Sequence, residues 1–293
     1  MQPGVLNLNK PAGATSFTMV RRLRALTGAK RVGHAGTLDP LATGVLPILF
    51  ESATRLADFA HLLPKTYLAD IQLGFRTATD DAEADLVPVA DPSALSSAEV
   101  ALALQSFVGR IQQRPPAFSA VKIDGERSYK RARAGEEVEP APREVEIHSA
   151  RLLEFEPGPR ARARVEVVCG SGTYLRSLAR DLGERLAVGG HLGRLVRTAY
   201  GDLTLETASS LDELTDAGAV ASRLLPMEAL LPGLEAVRLT LEQEAMVRQG
   251  RSVRVLPEPG PGHLRAHAGD GRLVALGHVD PLRRTFVPDK VLT

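Results

Sequence analysis

The sequence predicts an α+β protein with a small β-rich module near its C-terminal end, on three observations. Segments of two-residue apolar period, such as Tyr67 to Leu73 and Arg160 to Val167, specify strands with one buried face. Capped segments of helical period, opening at Ser16, Ser96 and Thr240, specify helices between them. A proline-punctuated stretch from Leu224 to Glu235, carrying Pro226 and Pro232, reads as a linker. It divides the chain into a large unit over 1–230 and a small one over 236–293, with no internal repeat.

The bulk numbers set the class. At 293 residues, 44% hydrophobic and 24% charged, the chain is an ordinary globular protein with material for a sizeable core. Its apolar runs, such as Val45 to Phe50, fall far short of a membrane span and contain Pro47. Met1-Gln2-Pro3-Gly4 carries no signal pattern. Cys169 is the single cysteine, which excludes an internal disulfide and a multi-cysteine zinc site. A cytoplasmic protein without a membrane partner is expected. The net charge is only +1, but it is segregated. Arg21, Arg22, Arg24, Lys30 and Arg31 cluster early, Lys122, Arg127, Lys130, Arg131 and Arg133 cluster mid-chain, and Asp80, Asp81, Glu83 and Asp85 lie elsewhere. Such runs are either solvated faces or one basic face for phosphates.

In chain order, Val5 to Asn9 reads as a strand, Lys10 to Gly13 as a turn, and Ser16 as the N-cap of a helix closed by Gly28. The stretch Gly33-His34-Ala35-Gly36-Thr37-Leu38-Asp39-Pro40-Leu41-Ala42-Thr43-Gly44 allows two readings. Proline keeps Asp39 extended and suits the first helical position, so Asp39 could cap a helix from Pro40. Gly44 leaves that helix barely a turn or two. Gly33 and Gly36 instead suggest an irregular functional loop that brings His34 near whatever Asp39 faces.

Tyr67 opens the next strand, which ends at Gly74; a packed tyrosine and a cleft-facing one are both open there. Ser96 and Glu99 form a capping box for a helix through Val108. Arg114 to Lys122, stiffened by Pro115 and Pro116, leads into a basic helix. Cys169 to Gly172 turns into a helix with Leu175, Leu178, Ala179, Leu182 and Leu186 on its apolar side. Arg176 then sits in the first turn, where a cation opposes the helix dipole. It pairs either with Asp181 on the surface or with an anion brought from elsewhere. Thr240 and Gln243 cap a helix that stops at Gly250, and Leu264 to His267 and Arg272 to Leu276 flank a hairpin turn. Pro257 to Gly262 form an insertion.

The loop from Gly33 to Leu46 resembles the signature of the TruB family of tRNA pseudouridine synthases. Further segments match in order: Lys10-Pro11 with Gly13 and Ser16; Lys65-x-Tyr67 with Gly74 and Thr77-x-Thr79-Asp80; Arg114 to Lys122 with Arg127, Tyr129 and Gly135. Cys169, Gly172, Thr173, Tyr174 and Arg176 follow, and then His191 to Arg197. The resemblance implies a mixed, largely antiparallel sheet flanked by helices, with a C-terminal PUA-like RNA-binding domain. It implies isomerisation of uridine 55 in the T loop of tRNA, by Asp39 as nucleophile or base, with Tyr67 against the base and Arg176 paired with Asp39. It counts His34, Lys10, Leu195 and Tyr174 as substrate-binding: Leu195 in the uracil pocket, His34 either in the space the base vacates or stacked on a neighbouring nucleotide, and Lys10 in the segment that supports the loop. The reaction moves no electrons and adds no group, so no cofactor and no metal is expected. The partner is the tRNA T-arm stem-loop; a monomer is expected, and no guide RNA, since the chain begins almost at its first motif. The alternative is an RNA-binding or RNA-folding protein with secondary or lost catalysis; an altered Asp39, Tyr67 or Arg176 would have favoured it.

Overall fold

The computed structural model describes all residues except 120, 124, 137, 256–261 and 293. Its main strands are β1 (Gly4–Lys10), β2 (Val32–His34), β3 (Thr43–Phe50), β4 (Lys65–Leu73), β5 (Gly109–Gln113), β6 (Arg143–Glu156), β7 (Arg162–Cys169) and β8 (Gly190–Tyr200). The helices among them are α1 (Ser16–Thr27), α2 (Ala57–Leu62), α3 (Ser97–Gln105), α4 (Ser128–Arg133), α5 (Leu175–Arg185) and α6 (Ala217–Ser222). The sheet runs β1-β3-β8-β4-β7-β6-β5, with β2 added on β3 and Leu203–Thr204 on β8. Only the β3–β8 contact in it is parallel, so the sheet is mixed and largely antiparallel as expected.

Period-two burial explains most of these strands. In β7, Ala163, Val165, Val167 and Cys169 are buried while Arg162 and Arg164 face outward onto Asp70 of β4. The strand begins at Arg162; Arg160 lies before it with its guanidinium over the Phe75 ring. β4 starts at Lys65, because Lys65 and Thr66 continue the ladder to Cys169 and Val168, so Tyr67 is its third residue and not its first. The capping box of Ser96 and Glu99 is present, but α3 stops at Gln105. Beyond it, Ser106, Phe107 and Val108 donate to carbonyls three residues back, a tightened turn that ends the helix.

Two other expectations change for local reasons. Thr15, not Ser16, caps α1, its hydroxyl accepting from Thr18 N–H, because the Ser16 hydroxyl is engaged with Leu38. The stretch 224–235 is not a solvated linker. Its leucines fold inward: Leu225 exchanges two backbone hydrogen bonds with Val5, and Leu230 and Leu231 are buried.

After it come β9 (Glu235–Arg238), α7 (Leu241–Arg248), β10 (His263–His267), β11 (Leu273–Asp280) and β12 (Thr285–Val291). They make a separate four-stranded sheet in sequence order, with α7 held by the expected Thr240–Gln243 capping box. The insertion expected at 257–262 lies, except for Gly262, outside the described residues. This sheet has its own core around Val247, Leu264, Ala266 and Phe286. Leu273, Leu276 and Leu292 instead join Val5, Val45, Leu49 and Leu56 of the large sheet's side, so the module packs on β1 and β3.

A close joint lies at Gly44, which faces Arg197 across the parallel pair. Its φ is +103°, and a Cβ there would lie 2.2 Å from the Arg197 carbonyl oxygen. Gly13 also has positive φ, +78°, but open space around it. Gly44→Ala is therefore expected to lower the urea midpoint further than Gly13→Ala, whose cost is the left-handed backbone alone, about 1–2 kcal/mol. Equal midpoints for the two variants would contradict this joint.

Candidate active site

The segment from Gly33 to Gly44 leaves β2, turns at Pro40 and Leu41, and re-enters the sheet as β3. No helix follows Pro40, so Asp39 is not an N-cap. Ala42 N–H donates to the Asp39 carbonyl, and the Pro40 carbonyl accepts from Gly13 N–H. Leu38 is gripped on both sides by Ser16, whose hydroxyl donates to its carbonyl at 3.1 Å and accepts from its N–H at 2.9 Å. Lys10 lies beneath the loop with no surface exposed. Its ammonium donates to the carbonyls of Ala14 at 2.6 Å, Pro11 at 2.8 Å and Pro40 at 3.4 Å. Burial holds its pKa down to about 8, with the Asp39 charge partly opposing that. Enclosed in this way, the Lys10 ammonium is spent on backbone carbonyls rather than offered to a substrate as expected; it ties the loop down.

Asp39 itself stays open, its side chain 36% exposed, against 6% for Arg176 and 3% for Asp81. Arg176 Nε lies 2.9 Å from Asp39 Oδ2, although its N–H is not aimed along that line, so the contact is ionic rather than an aligned hydrogen bond. Its other nitrogens reach Asp81 Oδ2 at 3.5 Å and donate to the carbonyls of Thr79 at 3.2 Å and Phe118 at 3.0 Å. The surface partner Asp181 takes Arg180 instead, as does Asp80. Asp81 is held in turn by the Thr79 hydroxyl at 2.5 Å and by Glu83 N–H at 3.0 Å. Gln113, almost fully buried, accepts from Tyr174 N–H and donates to the Tyr174 carbonyl, fixing the entry to α5. The Tyr174 ring is half-buried beneath the Arg143 guanidinium.

Beside this pair the floor of the site is built from β4 and β8. Leu195 pairs with Ala69 and Arg197 with Tyr67, so all four lie in one stretch of the same two strands. Burial pushes the Tyr67 hydroxyl above the ordinary phenol range, and Arg197 opposes the shift. Tyr200, nearby, is pushed up to about 12 by burial. His34 sits half-buried on β2, its Nδ1 buried and without a hydrogen-bond partner among the described residues. Its pKa is lowered by burial first, then by Arg197 and His61, so the ring is neutral near pH 7. Cys169 is buried, and burial pushes its thiol up to about 11, which leaves it protonated and unreactive.

Asp39 and His34 of one loop, Arg176 of α5, Tyr67 of β4 and Leu195 of β8 thus come from four segments to one place, with Lys10 under the loop and Tyr174 at the helix entry. Asp81 and Arg197 join them without being site residues on the sequence alone. In the chain Asp81 is one member of an acidic run. Arg197 had a signal: period two puts it on the same buried face as Leu195. Among the described residues no cluster of three or more potential metal ligands occurs, and no helix is long and apolar enough to cross a membrane.

Two family models match. Residues 24–175 match the TruB family pseudouridylate synthase N-terminal domain, and residues 176–232 the tRNA pseudouridylate synthase B C-terminal domain. The tRNA pseudouridine synthase B of Synechococcus sp. is 44% identical over 94% of this chain and 94% of its own. That of Symbiobacterium thermophilum is 47% identical over 84% of this chain and 82% of its own. Among solved structures, the Cbf5 chain of a Cbf5-Nop10-Gar1 complex aligns with a TM-score of 0.75 and 26% identity, over 99% of this chain and 85% of that one.

Because folding lowers the His34 pKa from its ordinary 6.5, the unfolded chain takes up that proton first as pH falls. The contribution of neutral His34 is present above pH 6.5 and is lost below it. Urea unfolding at pH 7.5 and pH 5.5 should therefore show wild type losing more stability on acidification than His34→Gln. An equal or larger loss in the variant would refute the buried, neutral ring.

Proposed function

The chain belongs to the TruB family of pseudouridylate synthases, and from that premise we propose that it converts uridine 55 in the T loop of tRNA to pseudouridine. The observation that carries the proposal is the contact of the open carboxylate Asp39 with the buried cation Arg176, beside Tyr67 and Leu195. The reaction breaks the bond from N1 to the ribose, turns the base, and joins C5 to the same ribose carbon; the C5 proton leaves and N1 gains one. Nothing is oxidised or reduced.

A base inside a folded loop must be extruded before such a site can reach it. Asp39 is the one accessible carboxylate of its cluster, and it meets the nucleotide as nucleophile or as base. Arg176 balances its charge while Asp81 holds the arginine from behind. The Tyr67 ring receives the base and its hydroxyl assists at C5, with Leu195 as the apolar wall. Neutral His34 stacks rather than pairing with phosphate. Lys10 fixes the Asp39 loop from below, and Tyr174 lines the entrance. The catalytic unit is 1–230 and the PUA-like module over 236–293 adds RNA contacts. The enzyme works as a monomer in the cytoplasm, without guide RNA; extensive similarity to proteins named tRNA pseudouridine synthase B supports this over a guided subunit.

Tritium release from a tRNA transcript labelled at uridine C5 tests the proposal. Wild type should release it, and Asp39→Asn should be slowed by at least ~10³-fold, as when a covalent catalyst is removed. Replacing the T-loop uridine should abolish release. Wild type that binds the tRNA and releases nothing would favour an RNA-folding role. Asp81→Asn should slow release about 10–100-fold, the loss expected when a catalytic cation is misplaced by a fraction of an ångström; an unchanged rate would remove Asp81 from the site.

A further inference from the structure

Arg197 is the largest fully buried side chain among the described residues, and no step above uses it. Among the described residues no carboxylate is ion-paired with it. An uncompensated cation in the interior is costly, and an apolar side chain would fill the same space without that cost. What the guanidinium adds is direction. Nε donates to the Val45 carbonyl at 2.6 Å, one terminal nitrogen to the Gly36 carbonyl at 2.8 Å, and the other approaches the Tyr67 hydroxyl at 3.4 Å. Its plane also packs on the rings of Tyr200, at 5.0 Å, and Tyr67, at 6.0 Å.

Those partners bracket the candidate site. Gly36 and Val45 lie on either side of Asp39 in the chain, at the two ends of its loop. Tyr67 is the neighbour on the other strand: β8 runs between β3 and β4, and Arg197 pairs with Gly44 on one side and Tyr67 on the other. The loop backbone lies directly on the group, since a Cβ on Gly36 would come within 3.1 Å of an Arg197 nitrogen and 2.5 Å of the Tyr200 ring. Its charge also lowers the pKa of Lys10 and His34 on the near side of the same site.

We propose that Arg197 is a positioning residue that sets the Tyr67 hydroxyl against the Asp39 loop, one guanidinium fixing both halves of the catalytic pair. A donor on the phenol oxygen directs that oxygen's own O–H away from Arg197, and the bonds to Gly36 and Val45 hold the loop at a set distance from the ring. The inference rests on the synthase reading given above.

The test uses the full chain with two readouts. The first is kcat and KM for tritium release by wild type, Arg197→Gln and Arg197→Lys. The second is the Cζ resonance of ¹³C-labelled tyrosine; the chain has 4 tyrosines, and Tyr67→Phe identifies the signal of interest. Arg197→Gln should lower kcat by about 30-fold or more while KM stays within about 3-fold, the split of an interaction made after binding. It should also move the Tyr67 resonance, and Arg197→Lys should recover part of both. A folded Arg197→Gln with an unmoved Tyr67 resonance, or with kcat unchanged, overturns the proposal. If Arg197→Gln does not fold, Arg197→Lys decides: an altered Tyr67 resonance with reduced kcat supports it, and wild-type values of either overturn it. Wild type that releases no tritium would sink the synthase reading instead, and the resonance would still report whether Arg197 contacts Tyr67.

Discussion

A cation buried in the first turn of a helix is the constraint on which this site is built. The free N–H groups of α5 already concentrate positive charge where Arg176 sits. Arg176 is stable there only if anions and carbonyl oxygens come to it, and they must come from elsewhere in the chain. Asp39, Asp81, Thr79 and Phe118 supply them from three separate loops. Each loop is then fixed by its own device: Ser16 and Lys10 for the first, Thr79 and Glu83 N–H for the second, and Ser177, whose hydroxyl donates to Arg114, for the third. Burial is graded as well. Asp81 is enclosed and can do no more than neutralise, whereas Asp39 keeps an open face.

The glycines of the signature loop follow from close approach more than from flexibility. Gly36 lies against Tyr200 and Arg197, and Gly44 against the backbone of Arg197. Both contacts are with β8, the strand that also carries Leu195. A loop that must touch the sheet with its bare backbone at two points cannot vary in height over the pocket, and Asp39 lies between those points.

Legibility followed the range of the forces involved. Local rules found what local chemistry decides: the capping boxes at Ser96 and Thr240, the Gly28 stop of α1, the alternation of β4 and β7. They failed where a distant partner claims a side chain. Ser16 looks like a cap until Leu38 takes its hydroxyl, Asp39-Pro40 looks like a helix start until Arg176 takes the carboxylate, and Leu224 to Glu235 looks like a linker until β1 covers its leucines. Asp81 and Arg197 are the same case inside the site. Nothing beside Asp81 in the sequence distinguishes it from a solvated acid, and only its pairing with Arg176, far along the chain, gives it a use.

β3 carries the last link, from the site to the C-terminal module. Its residues alternate between two cores: Leu46, Ile48 and Phe50 face the main one, while Val45 and Leu49 face the cluster that includes Leu273, Leu276 and Leu292. Lys290 adds an ion pair with Asp58 at 2.6 Å, and His263 packs edge-on against Phe59. Exposed pairs of that kind are screened by solvent and contribute little, so the shared apolar cluster does most of the docking. The module therefore presses on the strand that begins where the Asp39 loop ends, and on the residue, Val45, whose carbonyl accepts from Arg197. Val45 thus gives its side chain to the seat of the module and its carbonyl to the arginine that holds the loop.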